Sequence, residues 1–455
     1  MYKISDIYAQ YKEKLITADE AAAMVNPGDR VHFGTGCGVV NDLDEAIAKR
    51  VSEGDLEGIE IVSTVPVKGN SFKTFQATEH NHQARFASAH FNGFDRQMNK
   101  EGRCWYIPIM FSDLPYYWFT NGNNPDIAMF QVTPMDAHGN FNLGPQVSDM
   151  RGVIKGAKKI IVEVNENMPL AYGHETQLNI HDVDFVVEGS NKPLAELPSK
   201  APSEIDKKIA KFVVEKIEDG STLQLGIGSL PGCIGSMLAD EADITGINAH
   251  TEMMVDAYLD LYKAGKLTGN KPIDHGKYVY TFAGGSKELY EWIDGNPSCC
   301  AAPVSYVNSI QAIAQIPKFI SINSCIQVDL FGQVCSETAG FRQVSGTGGQ
   351  LDFVMGAWKS EGGHSFLCTP AARTLPNGEL ESLISPTLKP GSIVTTPRMC
   401  TNYIVTEYGA VNLKGKSTWE RAELLISVAH PDFRDQLIKD AEKMGIWKNT
   451  SKLDF

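Results

Sequence analysis

Two segments of the chain share one layout, and this internal repeat limits the fold more than any other sequence feature. PGDRVHFGTGCGVVNDLDEAIAKRV starts at residue 27, and EDGSTLQLGIGSLPGCIGSMLADEA starts at residue 218. Each runs through a short alternating apolar strand into a Gly-x-Gly turn and then a helical pattern. A helix with a capping signal precedes each segment, at Thr17 and at Ser203. Gly34 therefore corresponds to Gly226, and the repeat predicts two related α/β halves.

Short β-branched runs alternate with helical stretches in both halves, which favours mainly parallel sheets covered by helices. The runs are GIEIVST, AKKIIVEV, VDFVV, KFISINS and SIVTT, and the final segment TWERAELLISVAHPDFRDQLIKDAEKMGIW predicts C-terminal helices. A stretch rich in Pro, Ser and charge predicts a linker over 191–206. We therefore expect an α/β protein with two related open α/β domains, one over 1–190 and the other over 207–455.

Charge and cysteine content exclude several classes of function. The net charge of −14 argues against nucleic acid or an anionic membrane surface as the partner, because phosphate backbones require a basic footprint. The nine cysteines are scattered and include no CxxC pair, and no histidine pair has metal-ligand spacing with a cysteine or carboxylate. The N-terminus lacks the apolar core of a signal peptide, and no stretch is long enough for a membrane span. We expect a cytoplasmic protein with reduced thiols and no metal site.

The second Gly-x-Gly turn, Gly226 to Leu230, is the first candidate ligand site. It contains Gly226, Ile227, Gly228, Ser229 and Leu230 between a predicted strand and a predicted helix. Glycines let backbone amides approach a ligand closely, and a helix N-terminus favours anions. A tight turn without a ligand explains the spacing equally well. The turn is no dinucleotide fingerprint, because proline replaces the third glycine of G-x-G-x-x-G, and the first turn GTGCG departs from that pattern in the same way.

Glu252 is the second candidate. It follows the strand-like DITGINAH and, by the apolar pattern after it, starts a predicted helix. A carboxylate in a first helical turn is often only a favourable partner of the helix dipole. However, ligands of α/β folds usually bind at the carboxyl ends of the strands, where this residue is predicted to lie.

A third candidate is the glycine-rich turn in QVSGTGGQLDF. Gly346, Gly348 and Gly349 could present amides that stabilise a developing oxyanion. A β-turn or bulge with no ligand is an equally good explanation of the pattern.

With these motifs together, the chain resembles class I coenzyme A transferases of the acetyl-CoA hydrolase/transferase type, closest to the 4-hydroxybutyrate and butyryl-CoA:acetate branch. The resemblance covers nearly the whole chain, and its densest parts are LGIGSLPG, AHTEMMVDAYLDLYKAGKLTG, INSCIQVDLFGQVCSE, SGTGGQLDFVMGA, TTPRMCTNYIVTEYGAVNLKGKS and AHPDFRDQL. It implies that Glu252 is the nucleophile, that Gly226 to Leu230 bind the coenzyme, and that Gly348 and Gly349 lie at the active site. One departure is TGINAH, where relatives often have LGIH or LGVH.

The resemblance also implies a ping-pong reaction in which coenzyme A, a co-substrate rather than a tightly bound cofactor, becomes covalently attached to Glu252. The other substrates are an acyl-CoA, with butyryl favoured and 4-hydroxybutyryl possible, and a short-chain acid such as acetate. The family generally forms homodimers or higher homo-oligomers. Residues for the adenine and phosphates stay open; Lys287 is a candidate, and an ordinary solvated lysine is the alternative.

Three other functions remain as alternatives. An acyl-CoA hydrolase would resolve the same intermediate with water. A nucleotide-binding oxidoreductase would form a stable NAD(P) complex, which the imperfect glycine fingerprints disfavour. A catalytically silent ligand-binding protein would be indifferent to replacement of Glu252.

Overall fold

The computed structural model describes residues 4–67, 72–80, 82–197 and 200–451. Its α-helices are α1 (Ile4–Lys14), α2 (Ala18–Ala22), α3 (Asp42–Ser52), α4 (Lys73–Ala77), α5 (Gly93–Lys100), α6 (Leu114–Tyr117), α7 (Met150–Gly156), α8 (Glu204–Val214), α9 (Ser229–Asp240), α10 (Asp256–Lys263), α11 (Lys287–Ile293), α12 (Val304–Val307), α13 (Ile310–Ala314), α14 (Gln350–Lys359), α15 (Thr418–Ser427) and α16 (Pro431–Lys443).

The strands alternate with these helices along most of the chain. They are β1 (Arg30–Thr35), β2 (Ile59–Thr64), β3 (Ala84–Ser88), β4 (Cys104–Tyr106), β5 (Ile127–Val132), β6 (Asn140–Asn142), β7 (Lys159–Val164), β8 (Tyr172–Gly173), β9 (Gln177–Asn179), β10 (Phe185–Glu188), β11 (Thr222–Leu225), β12 (Asn248–Met254), β13 (Tyr278–Ala283), β14 (Cys299–Ala301), β15 (Phe319–Ser324), β16 (Gln327–Asp329), β17 (Val334–Cys335), β18 (Thr338–Ala339), β19 (Arg342–Gln343), β20 (His364–Cys368), β21 (Ala372–Thr374), β22 (Leu380–Ser382), β23 (Ile384–Ser385), β24 (Tyr403–Thr406) and β25 (Gly409–Asn412).

The chain divides into two compact units. The first comprises Met1–Pro198, Glu252–Met254 and Lys277–Val307, and the second comprises Ser199–Thr251, Val255–Gly276 and Asn308–Phe455. The first change of unit falls inside the predicted 191–206 linker, of which residues 198 and 199 lie outside the described part. The short segments around Glu252 and after residue 277 group with the first unit, whereas the sequence prediction assigned them to the domain over 207–455.

The first unit is built on a seven-stranded parallel sheet with the order β10-β7-β5-β1-β2-β3-β4. Strand β5 is buried along its whole length, as expected for a central parallel strand covered on both faces. A smaller parallel set in this unit has the order β13-β14-β8. The buried apolar cluster of this unit joins the helices around residues 21–51 to strands β1, β2, β3 and β5.

The second unit contains strands in the order β25-β24-β20-β15-β11-β12, parallel except for the terminal hairpin of β24 and β25. Helices α15 and α16 supply Leu425, Leu437 and Ala441 to the buried cluster that also contains Val328 and Ile404. The prediction of a mixed α/β fold with mainly parallel sheets and C-terminal helices is confirmed.

The repeated layout is present in both halves. Helix α2 has a capping box at Thr17 and is followed by β1, the glycine turn Gly36–Gly38 and α3. Helix α8 has a capping box at Ser203 and is followed by β11, the second turn and α9. One predicted strand, SIVTT, is wrong: only Thr396 makes an isolated bridge there, to Val334. Flanking prolines and exposed side chains explain the absence of a paired strand.

All nine cysteines are free thiols, eight of them buried. Within the described ranges, no helix combines the length and apolar character needed to cross a bilayer.

Candidate active site

The second glycine turn is open to solvent. Strand β11 ends at Leu225, Gly226 is half-buried, and Ile227 is 59% exposed, which is unusual for so large an apolar side chain. Gly228 has φ +119, a conformation that side-chain-bearing residues rarely adopt, and a Cβ there would meet nothing within 4 Å. The turn therefore needs glycine for its backbone path and leaves space beside it for a ligand.

Helix α9 starts from this turn with no acidic residue or side-chain cap of its own, although Asp206 of α8 contacts its first residue. Gly228 is the N-cap and offers no side-chain acceptor, and no acidic residue lies in the first helical turn. The Ser229 hydroxyl donates to Asp206 Oδ2 at 3.0 Å, so it is committed to helix α8, and Leu230 is buried. Backbone amides at a helix N-terminus carry partial positive charge. The start of α9 is therefore suited to an anionic ligand.

Glu252 lies inside strand β12, and its predicted position at a helix start is wrong. The strand continues to Met254, Val255 has extended backbone angles, and α10 begins only at Asp256. The apolar spacing after Glu252 fits a helix, but the residue continues strand β12, which pairs with β11 at Asn248 and Ala249. A helix-dipole explanation of this partly exposed carboxylate therefore does not apply.

Side-chain hydrogen bonds join the carboxyl end of β11 to β12 and to helix α10. The Thr251 hydroxyl donates to the Leu225 carbonyl at 3.4 Å, and the buried Tyr258 hydroxyl accepts from the Leu225 N–H at 3.0 Å. Burial raises the pKa of Tyr258, so this hydroxyl stays neutral. Gly226 follows the end of β11, and Glu252 comes directly after Thr251 within β12.

A polar cluster at the carboxyl end of β15 was missed by sequence reasoning. Ser321 Oγ and Asn323 Nδ2 both donate to Gln224 Oε1, at 2.7 and 3.1 Å. A Cβ at Gly226 would lie 4.0 Å from Asn323 Oδ1, so this amide borders the glycine turn. The sequence did show polar residues within the apolar runs LQL and FISINS, which could have indicated this cluster. The pairing of the two runs, however, could not be read from the sequence.

The third glycine turn precedes helix α14. Gly348 has φ +53, Gly349 is the N-cap, and the adjoining Gly346 is buried. Helix α14 leads into β20, which is parallel to β15, so the helix begins at the carboxyl edge of the sheet. This turn and Gly226–Leu230 therefore lie at the same edge of the second unit, while Glu252 groups with the first unit.

Across the described residues, no group of three or more His, Cys, Asp and Glu side chains has the arrangement of a metal site. The chemistry available at these positions is that of a carboxylate, backbone amides and side-chain amides.

Comparison with known proteins agrees with the order of these motifs. Residues 1–198 match the acetyl-CoA hydrolase/transferase N-terminal domain and residues 285–441 match the corresponding C-terminal domain. A butyryl-CoA:acetate CoA-transferase of Anaerostipes caccae is 47% identical, over 97% of this chain and 99% of the relative. A probable butyrate:acetyl-CoA coenzyme A-transferase of Syntrophomonas wolfei is 45% identical, over 98% of each chain.

The fold is matched by a crystal structure of RipA from Yersinia pestis, with a TM-score of 0.85, 35% identity, and coverage of 97% of this chain and 100% of RipA. Both relatives and both domain matches agree with the resemblance inferred from the motifs. The chain belongs to the acetyl-CoA hydrolase/transferase family.

Proposed function

We propose that this protein is a CoA-transferase that moves coenzyme A from a short-chain acyl-CoA to acetate. Butyryl-CoA is the favoured donor, because the two similar transferases named above act on butyryl-CoA or butyrate, and 4-hydroxybutyryl-CoA is the second candidate. The observation that carries the proposal is the open, uncapped start of α9, whose strand β11 pairs with the strand containing Glu252.

In the first half-reaction, a Glu252 oxygen attacks the thioester carbonyl of the donor. The carbon–sulfur bond breaks, which gives a mixed acyl-glutamyl anhydride and the coenzyme thiolate. The thiolate then attacks the glutamyl carbonyl and releases the donor's carboxylate, leaving a glutamyl-CoA thioester. No net proton transfer is needed, because a carboxylate enters and a carboxylate leaves.

The second half-reaction reverses these steps with acetate. Acetate attacks the glutamyl thioester, the thiolate leaves, and the thiolate then attacks the acetyl carbonyl of the new anhydride. Acetyl-CoA and free Glu252 are the products. Each intermediate keeps the activation of the original thioester, so the site must keep water away from the anhydride and thioester carbon atoms.

Negative charge develops on carbonyl oxygens in every one of these attacks. We propose that the amides around Gly348 and Gly349 donate to one such oxygen, and that amides of Gly226–Leu230 contact the coenzyme. Asn323 is a further candidate contact of the coenzyme, because its side-chain oxygen Oδ1 borders the Gly226 turn, while its NH2 group donates to Gln224 Oε1 and Ser321 Oγ. Its hydrogen bond to Gln224 would hold that amide in position.

The main alternative is an acyl-CoA hydrolase, in which water resolves the glutamyl thioester. The two are separated by incubating the enzyme with butyryl-CoA with and without acetate, and measuring free coenzyme A and acetyl-CoA. A transferase should form acetyl-CoA only when acetate is present, and the amount of acetyl-CoA formed should equal the amount of butyrate released. Coenzyme release at equal rates in both mixtures would establish hydrolysis instead.

The role of Glu252 is tested by substitution and by chemical trapping. Glu252→Ala should fold normally and lose transfer by about 10⁴-fold or more, as expected for removal of a covalent nucleophile. Borohydride added with butyryl-CoA should reduce the glutamyl thioester, so that mass spectrometry finds an alcohol in place of the Glu252 carboxyl. The exposed Glu215 serves as the control for both treatments. Retained transfer in Glu252→Ala would refute the assignment.

A further inference from the structure

A small pocket in the second unit combines two cations with a single carboxylate. It has a volume of about 150 Å³, and its charged lining residues are Arg373, Lys389 and Glu381. Arg373 Nε and one terminal nitrogen contact Glu381 Oε2, at 2.7 and 2.6 Å, and Lys389 pairs with the other oxygen. Two positive charges and one negative charge leave a net charge of +1 in a chain of net charge −14.

The carboxylate orients both cations without enclosing them. The Glu381 side chain is 17% exposed, whereas those of Arg373 and Lys389 are 44% and 45% exposed. Arginine has five N–H donors and lysine has three, so each keeps donors for another partner. The geometry thus offers an anion two preoriented cations, the combination that recognises phosphate groups.

A highly exposed aromatic ring lies at the rim of this pocket. Phe341 is 89% exposed at the tip of the hairpin formed by β18 and β19. A Cβ placed on Gly391 would lie 2.5 Å from the Phe341 ring, so the ring packs against backbone beside the pocket residue Ser392. The Ile393 N–H donates to Thr338 Oγ1 at 2.9 Å and ties the segment to the hairpin. An exposed ring held in this way is suited to stack against a planar base.

Two pockets of the first unit lack an excess of positive charge. One, of about 420 Å³, contains Lys287, but four carboxylates also line it: Glu166, Glu196, Glu291 and Asp294. The other, of about 540 Å³, balances Arg151 and Lys155 with Glu175 and Asp182. The surroundings of Lys287 therefore disfavour phosphate, and of these three pockets only that of Arg373 and Lys389 has a positive excess.

We propose that this pocket binds the nucleotide end of coenzyme A, with phosphate on Arg373 and Lys389 and adenine against Phe341. A volume of about 150 Å³ suits a phosphate group rather than a whole nucleotide, so the base lies outside it, on the exposed ring. The hairpin is followed within six residues by the Gly348 and Gly349 turn of the same unit. The inference rests on the proposed coenzyme transfer and adds the residues that hold the coenzyme's distant end.

The test compares butyryl-CoA with butyryl-pantetheine, which lacks the nucleotide. Arg373→Met and Lys389→Met should each lower kcat/KM for butyryl-CoA about tenfold, the effect of losing a charge-assisted hydrogen bond. Phe341→Ala should lower it by a similar or smaller factor, consistent with the loss of base stacking. All three variants should turn over butyryl-pantetheine like the wild type, and Arg373→Lys should recover part of the loss.

Lys416→Met is the matched control, because it removes a lysine charge that is 44% exposed and paired with Glu420, and it should leave both substrates unaffected. Unchanged kcat/KM for butyryl-CoA in the Arg373 and Lys389 variants, with normal trapping at Glu252, would refute the subsite and leave the proposed function intact. An equal fall with butyryl-pantetheine would also refute it, because the substitutions would then disturb the reacting end. Failure of trapping in the wild type would instead count against the proposed function.

Discussion

The two corresponding glycine turns have the same local layout but opposite surroundings. We call the buried turn Gly34–Gly38 the closed turn and the exposed turn Gly226–Leu230 the open turn. In the first unit, Gly36–Gly38 are buried, and the buried Glu163 carboxylate accepts hydrogen bonds from Asn41 N–H and Leu43 N–H at the start of α3. In the second unit, the turn is exposed and the start of α9 has neither an acidic residue nor a side-chain cap. Only the second turn leaves its amides available, so strand, turn and helix alone do not make a ligand site.

The largest predicted effect is on the closed turn. Gly34→Ala, at the position that corresponds to Gly226, should lower the free energy of unfolding by about 3 kcal/mol, because the new Cβ would lie 2.4 Å from the backbone oxygen of Gly38 and Gly34 has φ +85. Beside it, a Cβ on Gly38 would lie 1.5 Å from Gln146 Nε2. Gly226→Ala is the matched control, since its Cβ would have no neighbour closer than 3.9 Å. Denaturant unfolding of both variants gives the comparison. Equal losses would show that the two turns do not differ in packing.

The second prediction concerns acid sensitivity of the closed turn. The Gly34 N–H donates to His32 Nδ1 at 3.0 Å, and burial lowers the pKa of His32 to about 4, with Asp149 opposing the shift and Arg30 adding to it. A lowered histidine pKa contributes stability that is present above the unfolded value of 6.5 and lost as pH falls toward 4. We expect this contribution to decline by about 3 kcal/mol over that range.

Denaturant unfolding at several pH values measures this loss. His32→Gln should reduce the slope of the profile between pH 6.5 and pH 4, and the remaining slope includes the contribution of the buried His90, whose pKa is also lowered to about 4 by burial. Replacement of the exposed His275 by Gln should leave the profile as in the wild type. A profile with the same slope in His32→Gln would contradict the assignment.

The smallest predicted effect tests whether the open turn contacts an anionic group of the coenzyme. Ile227→Asp and Ile227→Asn have side chains of similar size and differ in charge. The aspartate should lower kcat/KM for butyryl-CoA about tenfold relative to the asparagine, because a carboxylate would compete with the anionic coenzyme for the helix N-terminus. Their unfolding free energies should agree within about 0.5 kcal/mol, since Ile227 is exposed. Equal activity of the two variants would mean that the turn does not contact an anionic group.

Sequence periodicity was sufficient for the fold class, the duplicated layout and the C-terminal helices, because strand and helix patterns are local. It placed Glu252 on a helix because Met253, Met254 and Ala257 fit a helical spacing, whereas the residue lies in strand β12, which pairs with the distant strand β11 near its start. The cluster of Gln224, Ser321 and Asn323 joins residues about a hundred positions apart. Such residues become neighbours through the order of the strands in the sheet, and this order cannot be read from a single sequence.

The packing of Glu163 and Gln146 around the first turn limits how that turn could be engineered. A repeated strand, turn and helix need not provide two ligand sites, because interior side chains from elsewhere in the unit pack against the first copy. Both residues lie over a hundred positions beyond the turn, so the sequence of the turn itself does not reveal that they pack against it. Building a ligand site at the first turn would therefore require changes in the core of the first unit before any change in the turn.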